Sequence, residues 1–266
     1  MEGQASVRIP WWRENPLFIL FEWLILHLSL VYYGIGIPRG DGAPVVLIPG
    51  YLATDSTLRG MFHWLRRIGY RPYFSEIGWN NDCFDVLVDR LIETVERVNG
   101  ETGRKVVLIG QSLGGVYARS VAARRPDLVA SVITLGSPFR AFRTNPFVQW
   151  LSDLTRKWVL WRRLPHVHRQ CCTLDCPCKT VAALRAPFPS AIPQRAVYSR
   201  TDGVVDWRAC INGDRATDFE IRGTHIGMGL NRRAYRFIAT ELARETTPHL
   251  PHPTSRSRRY RPVHFR

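Results

Sequence analysis

Lys105-Val106-Val107-Leu108-Ile109-Gly110-Gln111-Ser112-Leu113-Gly114-Gly115 is the stretch on which the fold turns. Its first five residues form a short apolar, β-branched run, as a parallel strand buried on both faces requires. A glycine-flanked serine follows, and then a segment that reads as a helix to about Arg125 and stops at Pro126. A strand that enters a helix through so sharp a turn strains the residue at its apex. The positions two before and two after it must then be small. Gly110 and Gly114 meet that demand, and Gly115 adds room. Ser112 would sit at a helix N-terminus, where free N–H groups and the macrodipole favour negative charge. A serine hydroxyl is a poor nucleophile at neutral pH, and such a turn exposes and activates one.

Outward from this turn, strands and helices alternate. Upstream, Val45-Val46-Leu47-Ile48 reads as a strand that ends at Pro49-Gly50. Leu58, Met61, Phe62, Leu65 and Ile68 recur at helical spacing, with Ser56 as expected N-cap and Gly69 as stop. A strand over 71–74 comes next. A long amphipathic helix follows, from Phe84 through Val98, capped near Asp82 and ending at Asn99-Gly100. Downstream, strands are expected over 131–135, 195–198 and 219–221, and a helix over 232–244. This order predicts an α/β fold, a mostly parallel sheet with helices on both faces and right-handed crossovers.

The rhythm breaks over 139–192. That insert carries Trp150, Trp158, Trp161, many arginines and a cysteine cluster. Placed beside the strand ends that carry the serine, it reads as a lid or cap, the alternative being a plain surface excursion. The chain thus divides into an N-terminal apolar helical segment over 1–40, an α/β domain over 41–245 with its insert, and a basic tail over 246–266. The tail holds five arginines and no acid, and is expected to be solvated and disordered.

Activation of Ser112 needs a base, an acid to orient it and donors for an oxyanion. In this fold the acid and then the histidine follow the serine in the chain. His225, just after the last strand in Gly223-Thr224-His225-Ile226-Gly227, is the candidate base, because His249, His252 and His264 fall in the tail. Asp202 and Asp206 both follow the preceding strand. Asp202 comes first, before a glycine, and is preferred, while Asp206 suits a turn cap. The oxyanion donors are expected to be the N–H of Leu113 and that of Tyr51 after the first strand, with Leu52 as the neighbouring alternative. Asn80 and Asn81 read as turn residues.

With these residues in place, the chain resembles the bacterial triacylglycerol lipase and esterase branch of the α/β-hydrolase superfamily, over roughly Pro38 to Arg244 without the insert. The resemblance is carried by Pro38-Arg39-Gly40-Asp41-Gly42, Ile48-Pro49-Gly50-Tyr51-Leu52, Ile109 to Gly115 and Thr134-Leu135-Gly136-Ser137-Pro138. Tyr198-Ser199 with Asp202-Gly203-Val204-Val205, and His225-Ile226-Gly227, complete it. It implies hydrolysis of carboxylic esters by Ser112, Asp202 and His225, with no metal or organic cofactor. Thioesterase, amidase and acyltransferase chemistry share the same triad, and a non-catalytic binding scaffold is the remaining alternative. Gln111 stands where many relatives carry histidine.

Composition bounds the rest. A chain of 266 residues with 45% apolar content can bury a full core, which excludes global disorder. The 37 Lys and Arg against 22 Asp and Glu give +15, which favours anionic surfaces. No aromatic-interleaved basic module points to nucleic acid. The segment Leu17 to Ile37 is nearly all apolar, and could pack on the domain, lie on a membrane or cross one, although Glu22 opposes crossing. No secretory signal is evident, so a cytoplasmic setting, with membrane association through 17–37, is expected. Free thiols are the default there for Cys83, Cys171, Cys172, Cys176, Cys178 and Cys210. The dense run from His166 and His168 to Cys178 lacks common zinc spacing.

Overall fold

The computed structural model describes residues 9, 11–142, 144–162, 168–173 and 175–246. His166 and residues 247–266 of the expected tail lie outside them, while Thr246, expected to open the tail, ends a helix. Six strands, β1 (Pro44–Ile48), β2 (Arg71–Phe74), β3 (Val106–Gln111), β4 (Val129–Leu135), β5 (Gln194–Ser199) and β6 (Asp218–Ile221), form one sheet in the order β2-β1-β3-β4-β5-β6. Every pairing is parallel, so "mostly parallel" becomes wholly parallel among the described residues.

Among the described residues seven α-helices accompany the sheet: α1 (Pro16–His27), α2 (Arg59–Arg67), α3 (Phe84–Thr102), α4 (Leu113–Arg124), α5 (Pro146–Trp161), α6 (Lys179–Arg185) and α7 (Arg232–Thr246). All five residues of β1 are buried, because both sheet faces are covered. On one face Val45, Leu47 and Ile109 pack with Leu26 of α1, Trp64 and Leu65 of α2, and Tyr235 and Ile238 of α7. On the other, Val46, Ile48 and Leu108 meet Leu87, Leu91 and Val95 of α3 and Tyr117 and Val121 of α4. The alternation of side chains along each strand feeds these two cores in turn.

Several local expectations are corrected. The apolar segment 17–37 is not one helix, because α1 stops at His27 and residues 28–36 are turns. Trp64 Nε1–H donates to the Val31 carbonyl at 2.9 Å, so those apolar turn residues are pinned to α2. Twelve residues rise about 18 Å, short of the ~30 Å hydrocarbon core. Among the described residues no helix is long and apolar enough to cross a membrane. Ser56 does not cap α2. It lies in a short 3-10 turn over 55–58 and shares a hydrogen bond with the Thr54 hydroxyl. Helix α3 passes through Asn99-Gly100 and ends at Gly103, whose φ of +65° closes it in the left-handed region. Its N-cap is Cys83, while the Asp82 carboxylate accepts Cys83 N–H and pairs with Arg162 of the insert.

The insert has two parts. Helix α5, capped by the Asn145 side chain on Val148 N–H, overlies the carboxyl end of the sheet. Helix α6 instead belongs to the body. The Asp85 carboxylate of α3 accepts from Lys179 N–H, Thr180 N–H and the Thr180 hydroxyl, and Val181 joins the α3–α4 core.

Candidate active site

Strands β1 and β3 are neighbours with Ile48 opposite Gly110, so the loops leaving them meet beyond the carboxyl end of the sheet. From this pair the chain winds outward in both directions, to β2 on one side and β4, β5 and β6 on the other. Open α/β sheets hold ligands at such a switch point.

Ser112 sits there with φ +51° and ψ −122°, a strained conformation for a residue with a side chain. The glycines around it are needed for space. A Cβ on Gly110 would lie 2.4 Å from the Gly114 backbone, and one on Gly114 would lie 2.3 Å from the Ile48 carbonyl oxygen. The turn therefore fits only because β1, β3 and α4 touch backbone to backbone.

The loops after β5 and β6 bring the other two candidates to Ser112. His225 Nε2 lies 2.9 Å from Ser112 Oγ, and His225 Nδ1 lies 2.7 Å from Asp202 Oδ2. The second Asp202 oxygen accepts the N–H groups of Val204 and Val205, both at 2.8 Å, which fixes the carboxylate in its own loop. Asp202 and His225 are both buried. Burial opposes a charged imidazole, but the charge and hydrogen bond of Asp202, aided by Glu14, outweigh it and hold the His225 pKa above its ordinary value. Asp206 is elsewhere. It N-caps the 3-10 turn Trp207–Cys210 by accepting Arg208 N–H.

The two oxyanion candidates after β1 differ in what their N–H groups meet. Leu52 N–H donates to the Asn80 carbonyl at 2.9 Å and is spent. The N–H of Tyr51 and that of Leu113 have no acceptor among the described residues. Asn80 is thus no ordinary turn residue. It is fully buried, its Nδ2 donates to the Pro49 carbonyl at 2.9 Å, and its Oδ1 accepts the Tyr117 hydroxyl at 3.1 Å. These bonds fasten the 49–52 loop to α4.

Three further residues acting on the site were not recognised from the sequence. Gln111 Nε2 donates to the His225 and Ile226 carbonyls at 3.4 and 3.2 Å, so its side chain supports the histidine loop. Glu14 and Glu22 reach in from the N-terminal arm. The Glu14 carboxylate accepts from His225 N–H at 2.7 Å, Gly203 N–H at 2.9 Å and Ile226 N–H at 3.2 Å. Glu22 accepts Thr224 N–H at 2.9 Å and the Thr224 hydroxyl at 2.7 Å. Partial burial raises the Glu22 pKa against the lowering effect of those Thr224 bonds, with Glu14 adding to the rise. A Cβ on Gly227 would overlap the Glu22 carboxylate, which explains the glycine there. For Glu22 the available signal was the acid itself, since a carboxylate in an apolar helix needs partners.

Before this site opens a cavity of about 870 Å³, bordered by Leu113, Phe142, Val148, Leu151, Val205 and Ile226. Helix α5 forms one wall and is tied to the 49–52 loop by the Tyr51 hydroxyl, which bonds to the Leu151 carbonyl and the Thr155 hydroxyl. Burial raises the Tyr51 pKa, so its hydroxyl stays protonated. Cys172 lines the far side, with its sulfur 3.9 Å from that of Cys171. All six thiols are free, and no group of three ligands that could hold a metal occurs among the described residues.

A family model named Esterase matches residues 64–175. A triacylglycerol lipase of Pseudarthrobacter phenanthrenivorans is 36% identical over 115 residues, which are 40% of this chain and 36% of that one. One from Vibrio cholerae is 41% identical over 100 residues, covering 35% and 31%. The match spans about a third of the length of these relatives. A mature lipase of Bacillus licheniformis superposes with a TM-score of 0.55 at 16% identity, over 78% of this chain and 95% of that one. A soluble variant of Saccharomyces cerevisiae monoglyceride lipase, bound to a substrate analogue, gives 0.54 at 13% identity, over 80% and 91%. The chain has the α/β-hydrolase fold and is lipase- and esterase-like in sequence.

Proposed function

We propose that this α/β-hydrolase-fold chain is a serine hydrolase that cleaves carboxylic esters through an acyl-enzyme on Ser112. The observation that carries the reading is the continuous contact from Ser112 Oγ to His225 Nε2, and from His225 Nδ1 to Asp202, at the mouth of an apolar cavity. As Ser112 Oγ attacks the ester carbonyl, His225 Nε2 takes its proton and Asp202 stabilises the imidazolium. The tetrahedral oxyanion is received by the N–H groups of Tyr51 and Leu113. Collapse breaks the ester C–O bond, and the departing alcohol takes the proton from His225. Water, deprotonated by the same nitrogen, then releases the acid and restores Ser112.

The acyl group would occupy the cavity under α5, which serves as its cover. Its volume and apolar walls suit an aliphatic chain. The relatives named as triacylglycerol lipases support a lipid-like ester. We place the enzyme in the cytoplasm, where its free thiols stay reduced, and on membranes through its apolar arm.

Labelling with a fluorophosphonate probe tests the reading. The wild type should form an adduct that Ser112→Ala lacks, and p-nitrophenyl esters of increasing length should then give the chain preference. A correctly folded wild type that takes no label at Ser112 overturns the proposal.

A further inference from the structure

Apart from Glu22 and His27, helix α1 is apolar throughout, yet only Leu26 is buried. Leu17, Phe18, Leu20, Phe21, Trp23 and Leu24 each remain at least 41% exposed, as do Trp11 and Trp12 before them. A soluble surface does not carry such a patch without something to cover it. Between α1 and the back of the His225 loop runs a groove of about 520 Å³, with Trp12, Phe18, Phe21 and Ile25 on its apolar side. Arg222, Arg232 and Arg233 also line it, as does Arg13, whose guanidinium lies over the Trp12 ring. None of these four is ion-paired among the described residues. The one carboxylate in the groove, Glu22, is already engaged by Thr224.

The occupant must therefore be apolar at one end and anionic at the other. A second copy of the chain answers the first demand and fails the second, since each copy carries +15. We propose that this arm is an interfacial anchor that seats on an anionic lipid leaflet. The aromatic residues of α1 enter the acyl boundary, and the arginines take the headgroup phosphates. A helix about 18 Å long, too short to span, is suited to lying in the plane of the interface. Through Glu14 and Glu22 the same arm holds the loops of Asp202 and His225, so the anchored element and the catalytic frame are one piece.

Vesicle flotation tests this without any hydrolytic readout, so its result is separable from that of the labelling experiment. The full-length protein is mixed with phosphatidylcholine vesicles, either pure or containing about 30% phosphatidylglycerol. The wild type and Ser112→Ala should float with the anionic vesicles and not with the pure ones. Raising salt from about 0.05 to 0.5 M should weaken binding. Phe18→Glu/Phe21→Glu and Arg222→Gln/Arg232→Gln/Arg233→Gln should each bind at least about tenfold more weakly, with circular dichroism and Tm confirming the fold. If the glutamate pair fails to fold, Leu20→Ser/Phe21→Ser replaces it with the same expected loss. Three results overturn the proposal. One is absence of binding by the wild type. Another is binding undiminished in both groove variants, which would put the affinity elsewhere on the basic chain. The third is self-association by light scattering that the phenylalanine variants abolish.

Discussion

The Glu14 carboxylate accepts the backbone N–H of His225 at 2.7 Å and that of Gly203, beside Asp202, at 2.9 Å. One side chain from the N-terminal arm thereby spans the two loops that present the candidate acid and base. It acts on their backbones and on the charge of the imidazole, not on substrate.

Replacing Glu14 with Gln keeps the shape, removes the charge and turns one acceptor into a donor facing N–H groups. We expect kcat for a soluble p-nitrophenyl ester to fall by about 10- to 100-fold with little change in KM, because the geometry of the transition state loosens. The acid limb of the pH profile should move to lower pH, since Glu14 contributes to the raised His225 pKa. A drop in rate with an unmoved pH profile would show that only folding was disturbed. Glu14→Asp, which keeps the charge, should hold the limb closer to its wild-type position.

For the wild type, attack needs a neutral imidazole, so kcat/KM should rise with pH through a midpoint above the ordinary 6.5 of histidine. The matching effect on folding has the opposite slope. A histidine with a raised folded pKa contributes stability in full below its unfolded value, and loses it as pH rises through the folded one. Tm should therefore decline across that window, and His225→Gln should flatten the decline. A midpoint at or below 6.5 would mean that burial outweighs the charge and hydrogen bond of Asp202.

Asn80→Ala leaves the Pro49 carbonyl and the Tyr117 hydroxyl without their buried partner. The cost should be about 2–4 kcal/mol, read as a lower urea midpoint at unchanged slope. In the surviving folded protein kcat should drop more than KM rises, because the Tyr51 N–H, the proposed oxyanion donor, drifts from its place. Unaltered kinetics would remove the 49–52 loop from the catalytic machinery.

Ser112→Ala, His225→Gln and their double variant should each lower kcat by at least about 10⁴-fold, with the double no worse than the singles. Additive losses in stopped assays would mean that the two side chains do not act as a unit.

What could be read from the sequence was what is local in it. Gly110, Ser112 and Gly114 lie within five residues, and the steric demand of the turn acts within that window. The strand–helix rhythm likewise gave the parallel sheet and the loops that end at Asp202 and His225. Glu14 and Asn80 escaped notice because their partners lie far along the chain, 211 positions away for Glu14 and His225 and 31 for Asn80 and Pro49. Nothing near either residue marks the pairing. The length of α1 was misjudged for a related reason. Hydropathy continues through Val31 although the helix does not, because Val31 is buried against Trp64 in a turn. Apolar character records burial, not helical continuity.

Tyr51 uses its two ends for different neighbours. Its N–H has no acceptor among the described residues, while its hydroxyl is bonded to Leu151 and Thr155 on α5. The cover therefore cannot swing aside as a free flap. Lifting it breaks the hydroxyl's bonds and frees the residue whose amide is proposed to receive the oxyanion. A single phenol thus couples the position of α5 to the loop that carries the proposed oxyanion donor.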